Sequence, residues 1–276
     1  MRYQIDHDFH IHTFLSRCSE DVHQRPDVIL DYGEKNGLHT LCITDHYWDE
    51  KVPGACFGGP YRSGGAVWYA TQNTAHSDLV LPLPKTDTVC MLYGCETEMD
   101  KDCRLGISRE EMARRDFIIV PTTHLHFGGF TIEREGTATE RARAALWVKR
   151  LEALLDMDLP FHKIGIAHLT CTLLSHEKTP VCTANTLSLI KDEDMKRLFA
   201  KAARVGAGIE LNFNGWEFEG GVTDEVLRPY RIAAEAGCKF YLGSDAHDRT
   251  ELAGAPEIFE RMVDALALEE TQKFTL

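Results

Sequence analysis

The sequence predicts an α/β fold: a barrel of seven parallel strands with helices outside it, in a single domain. Three observations carry this. Short apolar runs rich in β-branched residues alternate along the chain with segments of helical periodicity, as repeated βα units require. Six of the seven expected strands deliver His, Asp or Glu at their C-terminal ends. An open doubly wound sheet gathers functional groups from a few strands at its switch point, whereas a ring of strand-end groups needs ends surrounding one centre, as at the mouth of a barrel. Finally, no repeat, low-complexity stretch or linker divides residues 1–276, a length that such barrels reach as one domain.

Each element has its own signal. Strand one spans about 4–12 and carries His10 and His12. A helix follows Pro26 and stops at Gly37, since proline suits a first turn and glycine a C-terminal cap. Strand two, 38–44, runs into Asp45-His46. Residues 48–88 form a long insertion or loop punctuated by Gly54, Gly58, Gly59, Pro60, Gly64, Gly65, Pro82 and Pro84, with a helix over 66–77. A connection of that length serves as a lid or binding loop, or is a tolerated surface insertion. Strand three, 89–94, delivers Cys95-Glu96-Thr97-Glu98, and Ser108 with Glu111 makes a capping box for a short helix. Strand four, 117–120, leads to His124 and His126. A helix over 138–157 precedes strand five, 163–167, which ends at His168. A helix over 188–205, closed by Gly206, leads to strand six, 208–212, with Glu210 and Asn212. Pro229 is expected to open the next helix, ended by Gly237. Strand seven, 239–242, runs into Gly243-Ser244-Asp245-Ala246-His247, and an amphipathic segment covers 256–268.

Composition narrows the function. Hydrophobic residues make up 43% and charged residues 26%, which suits a globular protein with a substantial core. The formal charge is −13, from 43 acidic and 30 basic residues, and no long Lys/Arg run appears, so an extended nucleic-acid surface is not expected. The nine cysteines are odd in number and none forms a Cys-x2-Cys pair, which fits reduced thiols. The opening Met1-Arg2-Tyr3-Gln4-Ile5-Asp6 lacks the apolar core of a signal peptide, and no stretch approaches a membrane span, so a cytoplasmic protein without membrane association is expected.

Alternation along strand one places His10 and His12 on one face, with Asp8 in register behind them as a carboxylate able to orient a ligating ring. With His46, Glu96, His124, His168, Asp245 and His247 they make eight candidate metal ligands. A single catalytic ion uses about three protein ligands and an open position, so two or three divalent ions, of zinc, manganese or iron, are expected.

The motifs Asp8-Phe9-His10-Ile11-His12-Thr13, Thr44-Asp45-His46, Ala167-His168 and Gly243-Ser244-Asp245-Ala246-His247 resemble the four motifs of the PHP family, the polymerase and histidinol phosphatase phosphoesterases. The glutamate of Gly94-Cys95-Glu96 and the histidine of Thr123-His124 look like that family's remaining strand-end ligands. The resemblance implies a distorted seven-stranded barrel with a two- or three-metal centre. By likeness, His10, His12, Glu96 and Asp245 would hold one ion, Glu96 with His124 and His168 a second, and His46 with His247 a third. One departure stands out. Where many members place a further histidine or aspartate, this chain reads Ser16-Arg17-Cys18-Ser19-Glu20-Asp21, with Cys18 at the histidine's place. A thiolate ligates zinc but suits manganese poorly, and Asp21 or water are the alternatives.

The chemistry expected of such a centre is hydrolysis of a small phosphate monoester by a metal-activated hydroxide. Asp245, His247, Glu96 and His126 are the candidate catalytic groups, with His126 a proton donor ranked behind water and Asp245. Arg17 and Arg249 lie beside motif residues and are candidate phosphate contacts, against the plain alternative of solvated surface arginines. Histidinol phosphate is a plausible substrate by resemblance, and nucleotides or other phosphorylated metabolites are alternatives. An amidohydrolase-like site would place a lysine at the end of a middle strand, but Lys163 begins its strand. A non-catalytic metal-binding interaction module is the third reading.

Overall fold

In the computed structural model, which describes residues 1–55 and 64–276, the apolar runs do form strands, but two of them break in the middle. The strands are β1 (His7–Ile11), β2 (Thr40–Ile43), β3 (His46–Tyr47), β4 (Cys90–Tyr93), β5 (Cys95–Thr97), β6 (Ile118–Val120), β7 (Ile164–Ile166), β8 (Gly208–Leu211) and β9 (Lys239–Leu242). They make two all-parallel sheets, ordered β1-β2-β4 and β3-β5-β6-β7-β8-β9. Among the described residues nine strands in two sheets thus stand where seven in one closed ring were expected. The difference arises at two kinks. Thr40 pairs with Cys90 and His46 with Glu96, so the register is the same on both sides of the break. At the break itself Gly94 is pressed between neighbouring strands, where a Cβ would lie 2.6 Å from Cys42 Sγ and 2.7 Å from the Phe117 carbonyl oxygen. Among the described residues β9 meets β1 through an isolated bridge, Ile11 with Ala246, flanked by Asp245 N–H donating to His10 O at 2.7 Å.

A second departure lies within β1. Its register against β2 shifts between Asp8 and Ile11, a bulge that breaks strict alternation. Asp8 therefore does not stand behind the histidine rings as expected. Its carboxylate accepts from Tyr32 Oη, Ser244 N and His10 N, tying backbone rather than orienting an imidazole.

The helices are α1 (Pro26–Asn36), α2 (Gly65–Ala70), α3 (Thr74–Ser77), α4 (Arg109–Arg114), α5 (Glu140–Leu155), α6 (Pro180–Ser188), α7 (Asp192–Val205), α8 (Thr223–Glu235) and α9 (Arg249–Leu266). Gly37 ends α1 with φ 68°, as expected, and Ser108 caps α4 by accepting from Glu111 N, but the Glu111 carboxylate pairs with Arg114 and Arg115 rather than closing the expected capping box. The helix expected over 66–77 is split, because Asn73 caps α3. The one over 188–205 begins at Asp192, with α6 before it. Pro229 and Pro256 do not start helices. Both lie inside α8 and α9, whose starts are marked upstream by Asp224 and Glu225 in one first turn and by Asp248 capping the other. Gly58, Gly59, Pro60 and Cys56 lie outside the described residues.

The main apolar core fills the layer between strands and helices. A smaller cluster, including Phe9, Cys42, Phe117, Ile119, Ala167 and Tyr241, gathers residues of β1, β2, β6, β7 and β9 with their flanks. Among the described residues no helix is long and apolar enough to cross a membrane.

Candidate metal centre

The site forms where β1, β3, β5 and the segments after β6, β7 and β9 end together. At the end of β1, His10 Nδ1 donates to Glu210 Oε1 at 2.5 Å. His12 Nδ1 lies 2.7 Å from Ser16 Oγ, and that hydroxyl gives its one proton to Asp45 Oδ1, so the imidazole must be the donor. With both Nδ1 atoms committed, the two rings turn their Nε2 atoms on one another at 3.0 Å. Asp245 Oδ1 lies 3.2 and 3.0 Å from these nitrogens, and Glu96 Oε2 3.7 and 3.5 Å away. Four electron-pair donors face one point. The other oxygen, Glu96 Oε1, lies 3.1 Å from His168 Nε2 and 3.9 Å from His124 Nε2. His124 Nδ1 is held by Glu98 Oε2 at 2.8 Å and His168 Nδ1 faces Thr123 Oγ1 at 3.2 Å.

Three groups of potential ligand atoms, each within 4.8 Å of one another, result: His10, His12, Glu96 and Asp245; Glu96, His124 and His168; and His12, His46 and His247. The structure thus brings together residues of each set that the motifs suggested, with His12 joining the third group and Cys18 in none of them. Divalent cations fit this donor set. Glu96 Oε2 and His46 Nδ1 stand 2.8 Å apart, both buried and both without a hydrogen-bond partner. An orphaned buried pair of that kind is costly unless a cation satisfies it.

Electrostatics point the same way. Burial alone would raise Glu96, but the imidazoles around it, His46 foremost, hold it well below the usual carboxylate range. Asp245 is held low against burial by His10 and its neighbours. The two anions attract positive charge: His10, despite burial, is pushed well above the ordinary imidazole value by Asp245 and Glu210, whereas burial and the charges of His247 and His46 push His12 well below it. The backbone is strained at two of these positions, with φ 55° at Asp245 and 27° at His168. Non-glycine residues hold such angles only where their surroundings over-determine them.

A cavity of about 250 Å³ opens over the cluster, lined by Cys18, His46, Glu96, His124, Asp245 and His247 on the polar side and by Trp68, Tyr69, Phe127 and Leu173 on the apolar side. The 48–88 segment thus contributes to the site: Trp68 stands edge-on to His46 at 4.9 Å between centroids. His126 also lines the cavity. Burial, reinforced by the charge of His124, pushes it down to about 2, so the ring is neutral with Nδ1 unpartnered. Cys18 faces His46 and His247, whose influence outweighs desolvation and brings its thiol down to about 6. Arg17 and Arg249 are not brought into the cavity lining. Arg17 is exposed, with its backbone N–H on Gln72 Oε1, and Arg249 Nε donates to Asp21 Oδ2 at 2.7 Å. That pairing also occupies Asp21, the alternative to Cys18.

Sequence reading missed the partners behind the ligands. Glu98 holds His124, Ser16 holds His12, and Glu210 holds both His10 and the His168 backbone N–H. Glu98 and Glu210 were visible as acids at strand ends, but their partners are supplied by other strands.

No family model and no curated protein matches the sequence. Among solved structures, the histidinol phosphate phosphatase from Lactococcus lactis, crystallised with zinc, L-histidinol and phosphate, is similar over 98% of this chain and 99% of that one, with a TM-score of 0.55 and 14% identity. At that identity the likeness is one of fold. A chain of an archaeal ribonuclease P with mature tRNA is similar over 94% of this chain and 90% of that one, at TM-score 0.37 and 11% identity, too weakly to bear on the fold.

Proposed function

We propose that this chain is a metal-dependent phosphoesterase that hydrolyses a small phosphate monoester, built on a distorted barrel of the PHP type. The observation that carries the reading is Glu96, whose two oxygens face two different groups of donors, so that this one carboxylate could help to hold two ions. Divalent ions held there would supply Lewis acidity to polarise a phosphoryl group and make water a competent nucleophile near neutral pH. The chain's own residues do the rest. Glu210, Ser16 and Glu98 orient the ligating rings by taking their Nδ1 protons. Asp245 and the neutral His126 both line the cavity, and on this reading they would exchange a proton with the leaving group. The cavity's modest volume favours a small ester, and its apolar wall of Trp68, Phe127 and Leu173 would exclude bulk water.

The zinc, L-histidinol and phosphate bound by the Lactococcus lactis enzyme make histidinol phosphate the first ester to test. A phosphate-release panel covering it, nucleotides and sugar phosphates, with zinc, manganese or iron, checks the reading. Turnover of at least one ester is expected, abolished by a chelator and by His10→Ala. No turnover on any ester, or full turnover by His10→Ala, would overturn it.

A further inference from the structure

We propose that Trp68, with Phe127 and Leu173, forms the subsite for the organic part of the ester, and that the substrate class is a monoester of an uncharged alcohol bearing a flat apolar ring. This rests on the phosphoesterase reading and adds to it a direction of binding. The cavity has two unlike sides. On one stand His46, Glu96, His124, Asp245 and His247, all members of the groups that could hold ions, so the phosphoryl group belongs there. The leaving group then extends toward the other side, where Trp68, Phe127 and Leu173 offer mainly apolar surface. Among the described lining residues there is no Lys or Arg, and the two carboxylates, Glu96 and Asp245, both belong to donor groups. A second anion on the substrate would find no countercharge there, and a cation no free carboxylate, so either would be costly to bury. A flat ring instead packs well against aromatic edges and faces.

This wall is anchored to the centre. Trp68 lies on α2, inside the 48–88 segment, with its indole edge-on to His46 and, at 4.7 Å between centroids, to Tyr69, while the Phe127 ring lies 6.1 Å away. Helix α2 is seated directly on the turn after β6: a Cβ on Gly65 would lie 2.7 Å from Phe127 Cβ and 2.8 Å from Phe130 Cδ1. The next residue after Trp68, the buried Tyr69, donates its hydroxyl proton at 2.8 Å to Glu98 Oε2, the oxygen that also holds His124 Nδ1. One short helix thus presents an indole to the cavity and is tied through Glu98 to a candidate ligand, which fixes the ring relative to the phosphoryl side. Trp68 itself is only partly buried, so apolar surface is left for a bound group to cover. Such anchoring sets the segment apart from a tolerated surface insertion and makes it the part of the chain that selects the substrate.

The test uses the full chain reconstituted with zinc and probes that differ by one ring: 2-phenylethyl phosphate against ethyl phosphate for turnover, and benzylphosphonate against methylphosphonate, which cannot be hydrolysed, for binding by calorimetry. Wild-type protein should prefer the ring-bearing member of each pair by about 10- to 100-fold in kcat/KM and in affinity, the return on burying one ring. Trp68→Ala should lose most of that preference, and Trp68→Phe, which keeps an aromatic ring in the wall, should retain most of it. A wall that only keeps water out would slow both esters alike in Trp68→Ala and leave the preference intact. That result, or wild-type protein that treats both members of each pair equally, would overturn the proposal and leave the phosphoesterase reading standing. Failure of every phosphonate to bind and of every ester to turn over would overturn that reading itself.

Discussion

Glu210 shows how single residues decide whether the centre is usable. It is fully buried, with one oxygen on His10 Nδ1 and the other accepting from the His168 backbone N–H at 2.7 Å, so one carboxylate positions ligands of two different groups. Gly243 leaves it room: a Cβ there would run into the Glu210 carboxylate and lie 2.7 Å from His10 Cβ. Both Gly243→Ala and Glu210→Gln should therefore weaken metal binding by about 10- to 100-fold, the usual cost of disturbing a ligand's orienting partner. Competition against a chromogenic chelator, with circular dichroism to confirm folding, checks this, and unchanged affinity in both variants would refute the orienting role. The candidate ligands were legible in the sequence because each sits at the end of an apolar run. Their partners were not, since His10 and Glu210 are 200 residues apart in sequence and adjacent only through the sheet. Asp8 drew the wrong role for a related reason, because a bulge cancels the alternation on which its placement depended.

At the level of elements, legibility follows whether the signal is local. Gly37 marks a helix end through its backbone N–H and Ser108 through its side-chain oxygen, both within one turn of sequence, so they read correctly. Pro229 misled because proline at a first turn is only a preference, and acidic residues upstream had already fixed the start. Helix α5 hides a further case. Its charged residues look like a solvated face between apolar positions, yet Arg143 and Arg150, two turns apart, are buried. Arg143 Nη1 bonds the carbonyls of Leu125, Leu174 and Ser175. Arg150 bonds those of Thr122, Asp100, Thr131 and Met99, with Glu98 at 3.8 Å. One helix thus braces the loops after β5, β6 and β7, which carry Glu98, His124, His126 and Leu173. Arg150→Leu strands those carbonyls and leaves Glu98 without its countercharge, so a loss of roughly 3 to 5 kcal/mol is expected, as when one partner of a buried ion pair is removed. Urea unfolding measures it, and a change below about 1 kcal/mol would deny α5 that bracing role.

Across the whole molecule the two chain ends meet beside the N-terminal ends of β1 and β9, away from the candidate metal centre. Tyr3 N–H donates to Leu268 O, Phe274 N–H to Phe240 O, and Tyr3 Oη to the same Phe240 carbonyl. The charged clasp in this seam is Asp6, which accepts from Lys273 Nζ at 2.9 Å and stands 2.8 Å from His7 Nδ1. Burial would raise the Asp6 carboxyl, but the hydrogen bonds of His7 and Lys273 outweigh it and bring it down to about 2 from the ordinary 3.8. A carboxyl depressed on folding stabilises the native state above its unfolded value and loses that contribution as pH falls through its folded value. The clasp should therefore act fully above about pH 4 and fade toward pH 2, contributing on the order of 1 kcal/mol after allowance for solvent screening. Lys273→Met should move the acid-unfolding midpoint upward, and Asp6→Asn should lower stability at pH 7 while flattening its dependence between about pH 4 and 2. Acid titrations followed by tryptophan fluorescence read both, and an Asp6→Asn profile parallel to wild type through that window would show that the seam is held by its backbone bonds and buried tyrosine alone.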